Sequence, residues 1–476
     1  SSAHHALTRA GLLEVNAFTR RTTTRTRNGD ESPYESCEEN ASLLCVDDSD
    51  EVVVDPRGEP FGRTAEHPLD AVLNRSTTAQ TSIGASAQLS RPFRVFGDDH
   101  RASLGLSYDR GSADFALDAE VANLTETRAA EGVGRIAADS IVRLDATTST
   151  ASAYITDVVT ATPRMTITAA ARFNRSTIRL RDRAGDDLSG DHRFTSVNPS
   201  LGLTWAAGAL TLFASLAQAS RTPTPVELTC ANPDDPCRLP NAFVSDPPLE
   251  QVTARTAEAG VRGRAGRTRW SMAAFQTMNE DDILFISSGR QRGHGYFTNV
   301  GQTLRRGLEA AVDGAVRERL QWHASYSLID ATFERAFVVA SPHHPLAQDG
   351  ELHVSPGDRL PLIPRHTAKI GANLRAAATV QLSADARYTS SAFLRGDEAN
   401  LAPPLRNALV LDLGATVGIS PRVMIELTLT NATNAEYETF GTFGDASEVL
   451  GDEYDDPTFV SPGRPRAVRV SVRFRG

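Results

Sequence analysis

Apolar and polar residues alternate with period two in segment after segment, and this pattern fixes the secondary structure. In the last stretch Val468, Val470, Val472 and Phe474 are separated by Arg469, Ser471 and Arg473. Val423, Ile425, Leu427 and Leu429 alternate with Glu426, Thr428 and Thr430, and Leu409 to Ile419 encloses Asp412, Gly414, Thr416 and Gly418. Val380 to Tyr388 and Leu320 to Leu328 repeat the design. Successive side chains of an extended chain point to opposite faces, so each segment is a strand with one oily and one wet side.

Length and connection decide which medium the oily side meets. These strands run roughly ten residues or more, against five or six for soluble strands. Tight turns near Thr162–Arg164, Ala206–Gly208, Ala265–Arg267, Val316–Arg319, Ala376–Thr379 and Ser420–Arg422 alternate with long polar loops. The loops fall near 23–72, 110–147, 181–192, 221–251, 335–361 and 433–463, with shorter ones near 288–295 and 394–405. A transmembrane barrel sorts its connections by end in this way; a soluble sandwich or solenoid has no reason to. No apolar run reaches the roughly 18 residues of a spanning helix, so a helical membrane protein is excluded.

The expected fold is therefore an all-β, antiparallel transmembrane β-barrel. About sixteen strands are visible. They start near Leu12, Leu73, Arg101, Thr148, Met165, Phe194, Ala209, Thr253, Thr268, Phe297, Arg319, Ile363, Thr379, Leu405, Arg422 and Pro465.

Hydrophobic residues make up 40% and charged residues 23%, which excludes wholesale disorder. A net charge of -10 argues against nucleic acid as a partner, because phosphate neutralisation needs a basic face. Lys369 is the sole lysine beside many arginines, a skew that reads as codon composition rather than as a phosphate site. The four cysteines form two close pairs, Cys37/Cys45 and Cys230/Cys237, each inside a polar loop. Local disulfides are the simplest account and imply an oxidising compartment or the cell surface. Metal ligation is the alternative, with no histidine pair at zinc spacing to support it.

From Phe194 onward, six short motifs in order resemble the barrel of TonB-dependent outer-membrane receptors. They are "SRTPTPVEL" (220–228), "DPPLEQVTARTAEAGVRG" (246–263), "FTNVGQTLRRGLEAAV" (297–312), "LPLIPRHTAKIGANL" (360–374), "LTNATNAEYETFG" (429–441) and "SPGRPRAVRVSVRFRG" (461–476). The same residues have readings of their own. Gly301 and Gly307 suit a kink or bulge, Pro361 and Pro364 precede a strand, and Asn431 and Asn434 suit an Asx-bonded bend.

The resemblance implies a 22-stranded barrel with a plugged lumen, of which residues 1–476 would be an N-terminally incomplete part lacking the plug and first strands. It implies a bacterial outer-membrane location and energy-coupled uptake of a scarce solute, most often a ferric siderophore, driven by a TonB-type inner-membrane transducer. Outer-membrane lipid and lipopolysaccharide would surround it. Cobalamin, haem and carbohydrate are alternative cargoes, and a passive sixteen-stranded porin is the competing class.

No P-loop, HExxH, GxSxG or dinucleotide fingerprint is present in a suitable context, so no enzyme, metal centre or cofactor is expected. Asp412 and Glu426 face the predicted lumen, where acids are ordinary. The acidic runs with Asp47, Asp48, Asp50 and Glu51, and with Asp445, Asp452, Glu453, Asp455 and Asp456, lack the spacing of a calcium loop. Candidate ligand contacts are Arg290, Arg292, His294 and Tyr296 in the basic loop "GRQRGHGY", and His343 and His344 in "SPHHPL". The basic loop suits an anionic chelate and equally suits lipid phosphates. The histidine pair suits a metal or haem contact, against a plainer reading as a solvated loop pair.

Overall fold

A computed structural model describes residues 2–7, 11–46, 50–127, 129–185, 188–230, 249–287, 295–444 and 456–474, with backbone alone for 2–7. The alternating segments become one 18-stranded antiparallel sheet. Its long members are Gly11–Glu31, Ala71–Val95, Asp98–Leu124, Val142–Thr162, Met165–Asp182, Gly190–Ala207, Leu210–Arg221, Val252–Ala265, Thr268–Glu280, Thr303–Val316, Leu320–Phe333, His366–Ala377, Val380–Thr389, Ala408–Ser420, Val423–Thr430 and Ala467–Phe474. Each pairs with the next in sequence order. Ser2–Leu7 pairs with Gly11–Glu31, and the short Ala130–Ile136 strand lies beside Asp98–Leu124. Among the described residues no pairing joins the Ala467–Phe474 strand to the first strands, so the wall does not close on itself at sixteen.

Two of the expected loops are shorter than expected. The supposed loops 23–72 and 110–147 are strand as far as Glu31 and Leu124, and the next strand begins at Val142 rather than Thr148. In 23–31 both faces carry mostly Thr, Arg and Asp, so the alternation fades; in 113–122 and 142–146 it moves to the inner face, where Leu117, Val121, Val142 and Leu144 are buried, and in both places the backbone ladder continues. Phe297 opens no wall strand. It belongs to a loop hairpin, Ile283–Ser287 with Gly295–Asn299, and the wall resumes at Thr303.

The register separates an outer from an inner face. On Gly190–Ala207 the outward residues are Val197, Leu201, Leu203 and Trp205, all about half exposed. Phe173, Leu212, Leu216, Leu409, Val468 and Val470 extend that apolar belt around the sheet. A belt this wide on a water-facing surface would drive aggregation, whereas hydrocarbon leaves it satisfied.

All three tryptophans, Trp205, Trp270 and Trp322, lie on the outward face within a few residues of the short turns. Tyr108, Tyr326 and Tyr388 lie outward toward the loop ends. Amphipathic rings collect where hydrocarbon meets headgroups, so these two sets bracket the membrane-embedded height.

The buried cores sit at the loop end of the wall, where strand ends and loops pack together. Tyr34, Leu44, Val53, Phe61, Val72 and Val121 form one. Leu117, Leu144, Ile178 and Leu180 receive Leu228, Cys230 and Leu249 in a second. Ile286, Val300, Phe333, Val339, Leu352 and Val354 form a third.

Candidate functional site: the loop cap and the lumen

The inner face is charged and cross-braced. Arg387 Nη2 donates to Asp412 Oδ2 at 2.7 Å, and Arg473 lies 3.1 Å from Glu426. Asp412 and Glu426 are therefore separate ion pairs on neighbouring strands, not a joint carboxylate site. His323 and Lys369 flank Asp385 at 3.5 and 3.9 Å, and Arg269 meets Asp313 at 2.8 Å. A recess of about 520 Å³ opens between them, lined by Glu258, Glu309, Ser325, Ser327, Lys369 and Arg387. Such a surface holds water and polar chain, as a lumen requires.

Above it the long loops form short hairpins: Tyr34–Ser36 with Leu44–Val46, Phe337–Ala340 with Glu351–Val354, and Glu438–Phe443 with Thr458–Pro462. Cys37 and Cys45 are disulfide-bonded, Cα to Cα 4.9 Å, as their spacing suggested. Cys230 is also disulfide-bonded and fully buried; its expected partner Cys237 lies outside the described residues. Closing a loop of this size removes about 2–3 kcal/mol of unfolded-chain entropy. Reduction should thus make the loops at 32–70 and 221–251 protease-sensitive while the sheet keeps its heat-resistant migration. Loss of the sheet on reduction alone would contradict this division of labour.

His344 lies at the centre of the cap, its side chain fully buried. Its Nδ1 accepts from the Leu346 N–H at 3.1 Å, which places the proton of a neutral ring on Nε2, aimed at Asp397 Oδ1 3.2 Å away. Asp397 also accepts from the N–H groups of Leu401 (2.7 Å) and Ala402 (3.1 Å). Phe443 packs edge-on against the imidazole at 4.6 Å. The histidine pair is therefore not a solvated one: His344 is an internal prop, out of reach of a ligand, and His343 beside it is half-buried.

Burial pushes the carboxyls of Asp397 and Glu398 above their ordinary values. For Glu398 the sign follows directly. The folded cap holds a proton that the unfolded loop releases near pH 4.5, so cap stability falls as pH rises from 4.5 through the raised value. Glu398→Gln should reduce that slope, leaving the share that Asp397 supplies, read as protease sensitivity of the 390–407 loop between pH 4 and pH 7. A slope of unchanged size would sink the assignment.

Of the other candidate contacts, Arg290, Arg292 and His294 lie outside the described residues. Tyr296 packs half-buried against the third core, its hydroxyl pushed up by burial and then by Glu351. Among the described residues no group of three or more His, Cys, Asp or Glu is placed to hold a metal. Asp397 and Glu398 carried no sequence signal; the side-chain partner of Asp397, His344, lies 53 residues away in the chain.

The chain matches the family model "TonB dependent receptor-like, beta-barrel" over residues 8–435. Three solved structures share its fold. The siderophore receptor PiuA from Acinetobacter baumannii aligns with a TM-score of 0.67 at 15% identity, over 99% of this chain and 63% of its own. The ferric-catecholate import receptor Fiu from E. coli K12, in its open form, gives 0.62 at 12% identity, over 99% and 61%. The ferripyoverdine receptor of Pseudomonas aeruginosa, bound to ferripyoverdine, gives 0.63 at 13% identity, over 99% and 55%. The chain thus spans less than two thirds of each. Taken with the membrane-sized belt and the sorted loops, these matches make it an outer-membrane protein of the TonB-dependent receptor β-barrel family.

Proposed function

We propose that this chain is the wall and external cap of an energy-coupled receptor for a scarce solute, with a ferric siderophore as the first candidate cargo. One observation carries the reading. The connections at one end alone are folded, disulfide-bonded and packed into cores above a charged lumen. A receptor needs a pre-organised mouth, since ordering loops at the moment of binding costs affinity. A diffusion pore needs none. Against a passive sixteen-stranded porin also stands the absence of edge-to-edge pairing among the described residues.

Unpaired strand edges cost several kilocalories per mole for each backbone group left in hydrocarbon, so further strands are needed to complete the barrel. We assign those strands, a plug domain and the segment that engages a TonB-type transducer to sequence outside these 476 residues. Arg290, Arg292, His294 and Tyr296, on one loop, are the proposed ligand contacts, with His343 at the neighbouring loop. Lipid covers the apolar belt, with the loop ends in the outer leaflet.

The test is deletion of the full-length gene, followed by growth and labelled-iron uptake under iron limitation across a panel of ferric chelates. Loss of one chelate names the cargo. Unchanged uptake of all of them removes the siderophore reading and turns the search to cobalamin, haem and carbohydrate.

A further inference from the structure

We propose that four consecutive short turns on one side of the periplasmic mouth form a basic dock for the carboxylate-bearing peptide–glycan mesh of the cell wall. The proposal goes beyond the reading above. It holds for any cargo and shares only the orientation, with the loops outside.

The turns join Val252–Ala265 to Thr268–Glu280, Thr303–Val316 to Leu320–Phe333, His366–Ala377 to Val380–Thr389 and Ala408–Ser420 to Val423–Thr430. They and their flanks carry Arg264, Arg267, Arg317, Arg319, Arg375 and Arg422, all exposed, and Glu318 is the sole acid among the turn residues. Asp313, farther up the wall, is taken by Arg269 at 2.8 Å. Among the described residues none of the six arginines makes an ion pair. The chain as a whole has a net charge of -10, so this edge runs against its overall sign.

The array is continuous and rigid. Arg267 Nη1 donates to the Arg317 carbonyl oxygen of the next turn at 3.3 Å. The Arg375 N–H donates to the Arg319 carbonyl at 2.7 Å, and the Gly418 N–H to the Thr379 carbonyl at 2.8 Å, tying the remaining neighbours together. Turns two strands apart stand about 10 Å from one another, so four of them spread the guanidinium groups over about 30 Å. Elsewhere along the mouth Arg94 is paired with Asp99, Arg164 stands alone in its turn, and the link from Ala207 to Leu210 has no charge.

Position and composition select the partner. Trp270 stands opposite Gly263 and Trp322 opposite Gly314, so the arginines begin where the hydrocarbon ends on the periplasmic side. Arg264 lies directly opposite Arg269, and Arg375 continues the alternation of Lys369 and Gly371. Both are therefore on the lumen side of the wall and turned away from lipid. The turn residues 266–267, 317–319, 378–379 and 421–422 include no large apolar side chain, whereas a folded protein partner needs such anchors. No small anion spans the array, and a single exposed ion pair contributes at most about 1 kcal/mol. A repeating polymer meets several turns at once, and each guanidinium fork grips a carboxylate through two parallel bonds.

The experiment uses the full-length protein in detergent and measures its co-sedimentation with purified cell-wall sacculi, beside sacculi whose carboxyl groups have been amidated. The expected result is retention on native sacculi that is lost on amidation and on raising the salt to about 0.5 M. Retention should fall about tenfold in Arg267→Gln/Arg317→Gln/Arg319→Gln/Arg422→Gln. It should stay unchanged in the charge-matched control Arg21→Gln/Arg25→Gln/Arg27→Gln/Arg175→Gln at the loop end. The amidation arm uses the unaltered protein, so it decides the matter even where the variant fails to assemble. Undiminished retention on amidated sacculi, equal retention of variant and control, or tighter capture by polyglutamate beads or anionic phospholipid vesicles overturns the proposal. Orientation is read separately from a peptide tag inserted after Glu318, which an antibody should reach only in permeabilised cells. Staining of intact cells defeats the orientation and the reading above with it; staining after permeabilisation without retention on sacculi defeats the dock alone.

Discussion

Asp397→Ala is expected to open the loop cap while leaving the sheet beneath it assembled. The carboxylate is the common acceptor for His344 Nε2 and for the N–H groups of Leu401 and Ala402, and neither Asp397 nor the imidazole touches solvent. Removing it strands three donors at once, two of them buried, at a cost of about 3–5 kcal/mol to the local structure. The damage should stay local, because the wall strands are held by their own backbone ladders. In practice tryptic cleavage after Arg395 and Arg406 should rise sharply, while the unheated protein still migrates as a folded barrel in detergent gels. His344→Ala should do less, since Asp397 then keeps its two backbone donors. A cleavage rate equal to wild type would show that the cap is held elsewhere.

How far the sequence revealed this architecture follows from where its patterns originate. Alternation appears wherever one face meets hydrocarbon, so Val468 to Phe474 or Leu409 to Ile419 could be read directly. Where the strands rise above the lipid the outer face turns polar, and the inner face is either polar, as along Thr23 to Glu31, or packed into a loop core, as at Leu117 and Val121. That is why Thr23 to Glu31 and Arg110 to Ala122 looked like loop although their backbone pairing is unbroken. The Phe285–Phe297 pair gives a loop hairpin the look of a wall strand for the converse reason: packing into a loop core also selects apolar residues. Asn431 was legible because its role is local. It adopts a positive φ of 47° and bonds Ala435 through both side-chain atoms. The His344–Asp397 prop was not, because nothing in "SPHHPL" indicates that the acceptor comes from the next loop along.

Gly307→Val is expected to prevent assembly of the wall altogether. The sequence suggested a kink or bulge at this position, yet the pairing runs through Gly307 on both sides with no shift in register. Its smallness serves close approach instead. The Phe275 ring of the preceding strand lies over it, and a methyl group would overlap the Leu328 carbonyl oxygen of the following strand. An aromatic ring laid across a facing glycine is a device for pinning register, and it recurs where Phe213 covers Gly260. At Gly307 the first obstacle is backbone, which can move only by breaking the ladder, so the expected cost exceeds about 4 kcal/mol. Gly371→Ala makes the comparison. A methyl there meets the His323 ring and the Asp385 carboxylate, both side chains that can rotate away. Gly371→Ala should therefore assemble with a modest loss of heat resistance, while Gly307→Val should give no heat-resistant barrel. Phe275→Ala should not rescue it, since the carbonyl stays in place. Rescue would mean that the ring, and not the neighbouring backbone, sets the limit on size at this position.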